Sequence, residues 1–311
     1  MARSEEQEQD LDELEREVAR LLPAFRARGA PRRTLKSRLL LGTAGGQDVL
    51  VKKLVRREAL WRWYFARELQ LYERFAVERP PWRVPRMLAA DEGAGLLVLE
   101  RLPGPALATY RRQADALDER SLDALVQLCD GIGAWTRGLE LAPADPPPPA
   151  AVAAMRDRLL EDPSAPLTWV LDGIERAAAL GFVARDAAVL MQAHLRDHPV
   201  LSFAHGDLLP RNLLRAGERI GVVDWECAGP HVAEWDRALL WANVPAARER
   251  LEAGIAASPR PRQLAFWSCA AFALAREVKF RERARRSDPD DRVTRLLVEE
   301  LAAVQSRVRA T

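Results

Sequence analysis

Between His205 and Glu226 the chain sets out an aspartate, an asparagine five residues later, and a second aspartate closing an apolar run. The two stretches read His205-Gly206-Asp207-Leu208-Leu209-Pro210-Arg211-Asn212 and Asp224-Trp225-Glu226. Residues of these types in this order suit phosphoryl transfer from a metal-bound nucleotide. One carboxylate takes the proton of an acceptor hydroxyl, while a carboxamide and a second carboxylate hold the metal that bridges the phosphates. Asp207 is the candidate base, and Asn212 and Asp224 are the candidate metal ligands. Glu226, two residues further on, faces either the metal or the acceptor. Aspartate and asparagine also cap ordinary turns, but the ordered set of three, with strands beside it, separates this segment from a chance loop.

The elements that must position these groups can be read around them. Residues 200–204 are a short apolar run entering the motif. Residues 213–215 and 220–223 are two apolar stretches about a Gly-containing turn, a pattern that predicts a β-hairpin. Asp207 and Asn212 then lie in the loop before the hairpin, and Asp224 at its exit. Upstream, residues 47–54 form a β-rich run ending in Lys52 and Lys53, and the next helix carries Glu68, with Phe65, Leu69 and Tyr72 at helical spacing. Neighbouring strand residues face opposite ways, so only one of the two lysines points inward. Residues 96–100 are a fully apolar strand, ended by Leu102-Pro103-Gly104.

Residues 205–212 resemble the H-G-D-x-x-x-x-N catalytic loop of the aminoglycoside phosphotransferase and choline kinase family, a branch of the protein-kinase-like fold. Asp224-Trp225-Glu226 with Ala228-Gly229 resembles that family's metal segment, and Trp235-Asp236 is similar to its loop-buttressing aspartate. The likeness extends more weakly from about residue 39 to residue 243. It implies an α+β, two-lobed fold. A small antiparallel-sheet N-lobe would span residues 1–104 and end at a hinge, and a larger, mainly helical C-lobe would span residues 105–311. It implies ATP and Mg²⁺ as cofactors and a small-molecule hydroxyl as acceptor. Lys52, which follows Leu50-Val51 as the family's lysine does, is the phosphate lysine and Glu68 its partner. Glu100 to Leu102 form the hinge whose main chain bonds adenine, and His205 and Asp236 support the loop. There is no G-x-G-x-x-G. Gly42, Gly45 and Gly46 read as a turn joining two strands, so residues 27–31 are the expected nucleotide loop, ahead of a strand at 34–41. Gly206 replaces the arginine of H-R-D and no A-P-E follows Asp224, so control by an activation-loop phosphate is not expected.

The whole-chain properties agree. A chain of 311 residues, 48% of them hydrophobic, can bury the core of two lobes. A net charge of +2 points to neither nucleic acid nor a membrane surface. Cys129, Cys227 and Cys269 form neither a disulfide framework nor a zinc site, the N-terminus is acidic, and no apolar run approaches membrane-spanning length. A cytoplasmic protein is expected. An amphipathic helix opens the chain, helices are expected at 119–139, 151–160, 261–286 and 290–309, and Pro146 to Pro149 make a stiff spacer. Trp225, Trp235, Trp241 and Trp267 are expected in the core rather than in a cage for a quaternary amine. His194 and His198 lack the glutamate of H-E-x-x-H. Three other readings stay open. One is a kinase of lipopolysaccharide sugars or other large glycans, suggested by the aromatic-basic run Trp61 to Phe65. The others are a catalytically silent kinase-like binding protein and a metallophosphoesterase, the last short of histidines. The acceptor and the oligomeric state are not legible.

Overall fold

The computed structural model describes residues 2–108, 117–135, 166–216, 219–284 and 292–311. The helix expected at 151–160, the proline spacer, and Arg285 and Arg286 lie outside them. The described residues divide into two compact units: one takes residues 2–104 together with Gly221–Glu226, and the other takes the rest.

The first unit is built on an antiparallel sheet of β1 (Phe25–Ala27), β2 (Arg32–Arg33), β3 (Ser37–Ala44), β4 (Gln47–Leu54), β5 (Met87–Asp91) and β6 (Leu96–Glu100). Two helices, α1 (Ala2–Leu21) and α2 (Ala59–Glu78), belong to it. The strand order is β1-β3-β4-β6-β5, with β2 also beside β3. Leu14 and Val18 of α1 pack with Phe25, Leu40, Val49, Val51, Leu96 and Val98, so one face of the sheet is buried under the first helix. Gly45 and Gly46, with φ of +56° and +82°, turn β3 into β4, the geometry a two-residue hairpin turn requires. The strand expected at 34–41 is displaced. It begins at Ser37, because Thr34 and Ser37 close a turn on each other: the Thr34 amide donates to the Ser37 carbonyl (2.8 Å), and the Ser37 amide donates to Thr34 Oγ1 (2.9 Å). The hairpin tip is therefore Thr34 to Lys36; of the expected nucleotide loop 27–31, Ala27 ends β1 and residues 28–31 interrupt the outer strand between β1 and β2.

The segment Gly221–Glu226 is fastened into this unit. The Val222 amide donates to the Arg83 carbonyl (2.9 Å). Trp225 is fully buried, with ring centroids 4.9 Å from Phe75 and 5.9 Å from Trp82. The aromatic run of α2 is buried too: Trp61, Trp63, Tyr64 and Phe65 are core residues, not a displayed surface.

The second unit is mainly helical, with α3 (Glu119–Ala134), α4 (Pro166–Ala179), α5 (Arg185–Asp197), α6 (Trp235–Asn243), α7 (Arg248–Ala256), α8 (Arg260–Ala284) and α9 (Arg292–Ala310). Helix α8 is apolar around most of its circumference from Leu264 to Ala275 and runs through the core. Gly173 of α4 lies so close to Phe272 of α8 that a Cβ there would overlap the ring. Trp235, Trp241 and Trp267 are buried. The short strands are β7 (Leu201–Ala204), β8 (Leu213–Ala216) and β10 (Gly229–Val232), with β9 (Arg219–Val222) carrying the chain across the division. β8 and β9 form the hairpin, while β7 pairs antiparallel with β10, a partner not foreseen for the 200–204 run. Among the described residues, no helix is long and apolar enough to cross a membrane.

Candidate active site

Alternation along β4 decides what its lysines do. Val49 and Val51 face α1, so Lys53, on the same side, reaches Glu17 of that helix. Lys52 points the other way and is 7% exposed. Its ammonium donates to Glu68 Oε2 of α2 at 2.6 Å, to Glu226 Oε2 at 2.9 Å and to Asp224 Oδ1 at 3.0 Å. Burial works against the Lys52 charge, and the attraction of Asp224, Glu226 and Glu68 overcomes it, holding the ammonium well above its ordinary range. Burial pushes the Glu68 carboxyl up to about 7, with Lys52 pulling it back and Glu226 and Asp224 adding to the rise.

Carboxylate oxygens of Glu68, Asp224 and Glu226 all lie within 4.8 Å of one another. Hard oxygen donors this close fit Mg²⁺. Lys52 engages Glu68 most closely, and the Asp224 side chain, 41% exposed, is the most open of the three. Asp224 sits at φ +66°, a left-handed conformation costly for most side chains and tolerated by aspartate. The Trp225 contacts and the Val222 hydrogen bond hold it there.

The loop 205–212 belongs to the second unit and is built differently. Asp236, at the start of α6, accepts the His205 amide on Oδ2 (2.6 Å) and the Gly206 amide on Oδ1 (3.0 Å). Trp235 Nε1 donates to the Gly206 carbonyl (2.7 Å). Gly206 itself is at φ +83°, where a Cβ would be strained. The Asp207 amide donates to His205 Nδ1 (3.3 Å). Asn212 Nδ2 then ties the loop shut, donating to the Asp207 carbonyl at 2.8 Å and to its Oδ2 at 3.2 Å. Arg211 also donates to Oδ2 (2.7 Å). Among the described residues nothing donates to Asp207 Oδ1. Burial raises the Asp236 carboxyl, opposed by His205 and by the two amides it accepts.

At the end of β6, the Glu100 amide donates to the Arg86 carbonyl (2.8 Å) and the Arg101 amide to the Asp48 carbonyl (3.0 Å). Both are used within the first unit. Among the described residues the Leu102 amide has no such partner.

The model of the phosphotransferase enzyme family matches residues 34–277. The chain belongs to this family. As a phosphotransferase it acts on hydroxyl groups. No curated protein matches the chain. Among solved structures, a choline/ethanolamine kinase family protein from Mesorhizobium loti is similar at 18% identity and a TM-score of 0.57, covering 97% of this chain and 95% of that one. Macrolide 2'-phosphotransferase MphH from Brachybacterium faecium is similar at 18% identity and a TM-score of 0.54, covering 94% and 98%. Aminoglycoside phosphotransferase APH(4)-Ia, in a ternary complex with ADP and hygromycin B, is similar at 16% identity and a TM-score of 0.55, covering 94% and 97%. At these identities the likeness concerns the fold, α+β with an antiparallel sheet followed by a mainly helical portion.

Two residues that contact the candidate groups escape a reading of the sequence. Lys36 donates to Glu226 Oε1, and Arg211 bonds Asp207. Arg211 lies four residues after Asp207, a spacing that could have flagged it. Lys36 and Glu226 are 190 residues apart, and no local pattern joins them.

Proposed function

We propose that the protein moves the γ-phosphate of ATP to a hydroxyl of a small molecule, with residues 2–104 and Gly221–Glu226 serving the nucleotide and the second unit serving the acceptor. The observation that carries this reading is the Lys52 ammonium bonded to Glu68 beside the Asp224 and Glu226 carboxylates. Lys52 neutralises phosphate charge and Glu68 orients it. The Leu102 amide is the hinge donor left for adenine, with Glu100 setting the strand that presents it. Asp224, with Glu226 beside it and Asn212 from the loop 205–212, would hold Mg²⁺, which when bound would supply charge neutralisation for the phosphates. Asp207 takes the acceptor's proton on Oδ1, while Arg211 and Asn212 fix its other oxygen. His205 and Asp236 set the loop's backbone.

Structures that resemble the chain include complexes with ATP and streptomycin and with ADP and hygromycin B, which favours a nucleotide and a small acceptor. Trp61, Trp63, Tyr64 and Phe65 are buried and only Arg62 of that run is exposed, which speaks against a large-glycan surface there. A cytoplasmic location accords with this reading. Calorimetry of ATP with the wild-type protein, with and without Mg²⁺, tests it. Mg²⁺-dependent binding is expected, and no binding at millimolar ATP would overturn it.

A further inference from the structure

The family reading gives the first unit one phosphate lysine. We infer that Lys36, on the β2–β3 hairpin tip, is a second phosphate-positioning cation that works as a pair with Lys52. This rests on the phosphotransferase reading above and extends it to a residue no family motif marks.

Several independent contacts place it. The Lys36 carbonyl accepts the Val55 amide (2.9 Å) and the Arg56 amide (3.1 Å), so the tip is pinned to the connection between β4 and α2 rather than left free. Its neighbour Leu35 is 60% exposed, whereas the Lys36 side chain is 18% exposed and turned inward. Its ammonium lies 5.1 Å from the Trp61 ring centroid and 5.7 Å from that of Tyr64. Aromatic faces of this kind hold a cation in place without adding a further anion.

The anion it meets is informative. Glu226 offers Oε1 to Lys36 and Oε2 to Lys52. A carboxylate and a phosphoryl group each present two oxygens on one atom, so two ammonium groups that grip one are spaced to grip the other. Lysine serves phosphate as a compact, mobile point charge. Carboxylates that bound a metal would release their lysines, leaving both ammonium groups free to meet phosphate oxygens beside it. A purely structural tie between hairpin and Glu226 would need none of the aromatic platform.

Calorimetry with three ligands separates the roles. Lys36→Met is expected to weaken Mg²⁺-ATP binding about tenfold, to leave adenosine binding unchanged, and to be largely rescued in Lys36→Arg. Thermal melts of the ligand-free variants verify folding. Equal weakening of ATP and adenosine, or Mg²⁺-ATP binding as tight as wild type in Lys36→Met, would make Lys36 a structural tie and overturn the inference while sparing the phosphotransferase reading. Wild-type protein that binds adenosine but no Mg²⁺-ATP would overturn both.

Discussion

The carboxylate–lysine cluster of the first unit and the loop 205–212 of the second solve the same problem, that of holding polar groups in one place, by opposite means. The cluster is side chain on side chain: Lys52 meets three carboxylates, and Glu226 meets two lysines. The loop is held mainly through main chain: Asp236 accepts two amides, Trp235 caps a carbonyl, and Asn212 reaches back to the Asp207 carbonyl. Long charged side chains can exchange partners when a metal and a phosphate arrive. Amides bonded to a buried carboxylate have no alternative partner. On the proposed roles, the cluster is able to rearrange on loading, whereas the loop is set in advance, as preorganised catalytic groups need to be.

Substitutions can break this contrast, and the largest expected effect belongs to the packing that delivers Asp224. Trp225 is fully buried between Phe75 and Trp82. Trp225→Ala should lower stability by about 3–5 kcal/mol in denaturant melts and weaken Mg²⁺-ATP binding with it. Unchanged affinity in the folded fraction would show that Asp224 is held by something else.

Asp207→Asn should lower kcat by about 10²-fold or more while leaving nucleotide affinity in place. Steady-state kinetics on an identified acceptor reads this directly, and undiminished turnover would remove Asp207 from the role of base.

Asp236→Asn sharpens the comparison most. An amide side chain accepts on one oxygen only, so its NH₂ would oppose either the His205 or the Gly206 amide. Stability should drop by about 1–3 kcal/mol, and kcat should fall although Asp236 touches no substrate. A stable, fully active variant would mean the loop does not depend on its backbone clamp.

The smallest effect belongs to an ion pair outside both regions. Arg309 of α9 grips Asp186 of α5 at 2.7 and 2.9 Å, and its hydrogen bond lowers the Asp186 carboxyl to about 2. A folded value below the unfolded one means that the contribution is present above the ordinary carboxylate range, near 4, and is lost as pH falls through about 2. The gap in thermal midpoint between wild type and Arg309→Ala should therefore be small at neutral pH and vanish in strong acid. A gap that grows on acidification would contradict the pairing. Because both groups are exposed, solvent screening keeps it small.

Local chemistry was readable in the sequence where neighbours in the chain are also neighbours in space. The order Asp207, Asn212, Asp224 and the β8–β9 hairpin fall within about twenty residues, and Lys52 and Glu68 are joined by one strand and the helix after it. Side-chain alternation on β4 separates Lys52 from Lys53, because α1 covers the face that Val49 and Val51 share with Lys53. What was illegible depends on long-range closure. The β7–β10 pairing and the Lys36–Glu226 contact join segments with no common local pattern. The strand start at Ser37, rather than Thr34, follows from a turn in which threonine and serine satisfy each other's backbone. That chemistry competes with strand propensity. Helices α4 and α5 match no expectation from the sequence, though each buries an apolar face.

The most direct test of the contrast is calorimetry of Mg²⁺-ATP on Asp224→Asn and Asp207→Asn side by side. The two aspartates belong to the rearranging cluster and to the preset loop, and the account predicts that they fail differently. Asp224→Asn should lose Mg²⁺-dependent binding, and Asp207→Asn should bind as tightly as wild type. Equal loss in both variants, or equal retention, would contradict the division of labour between the two regions.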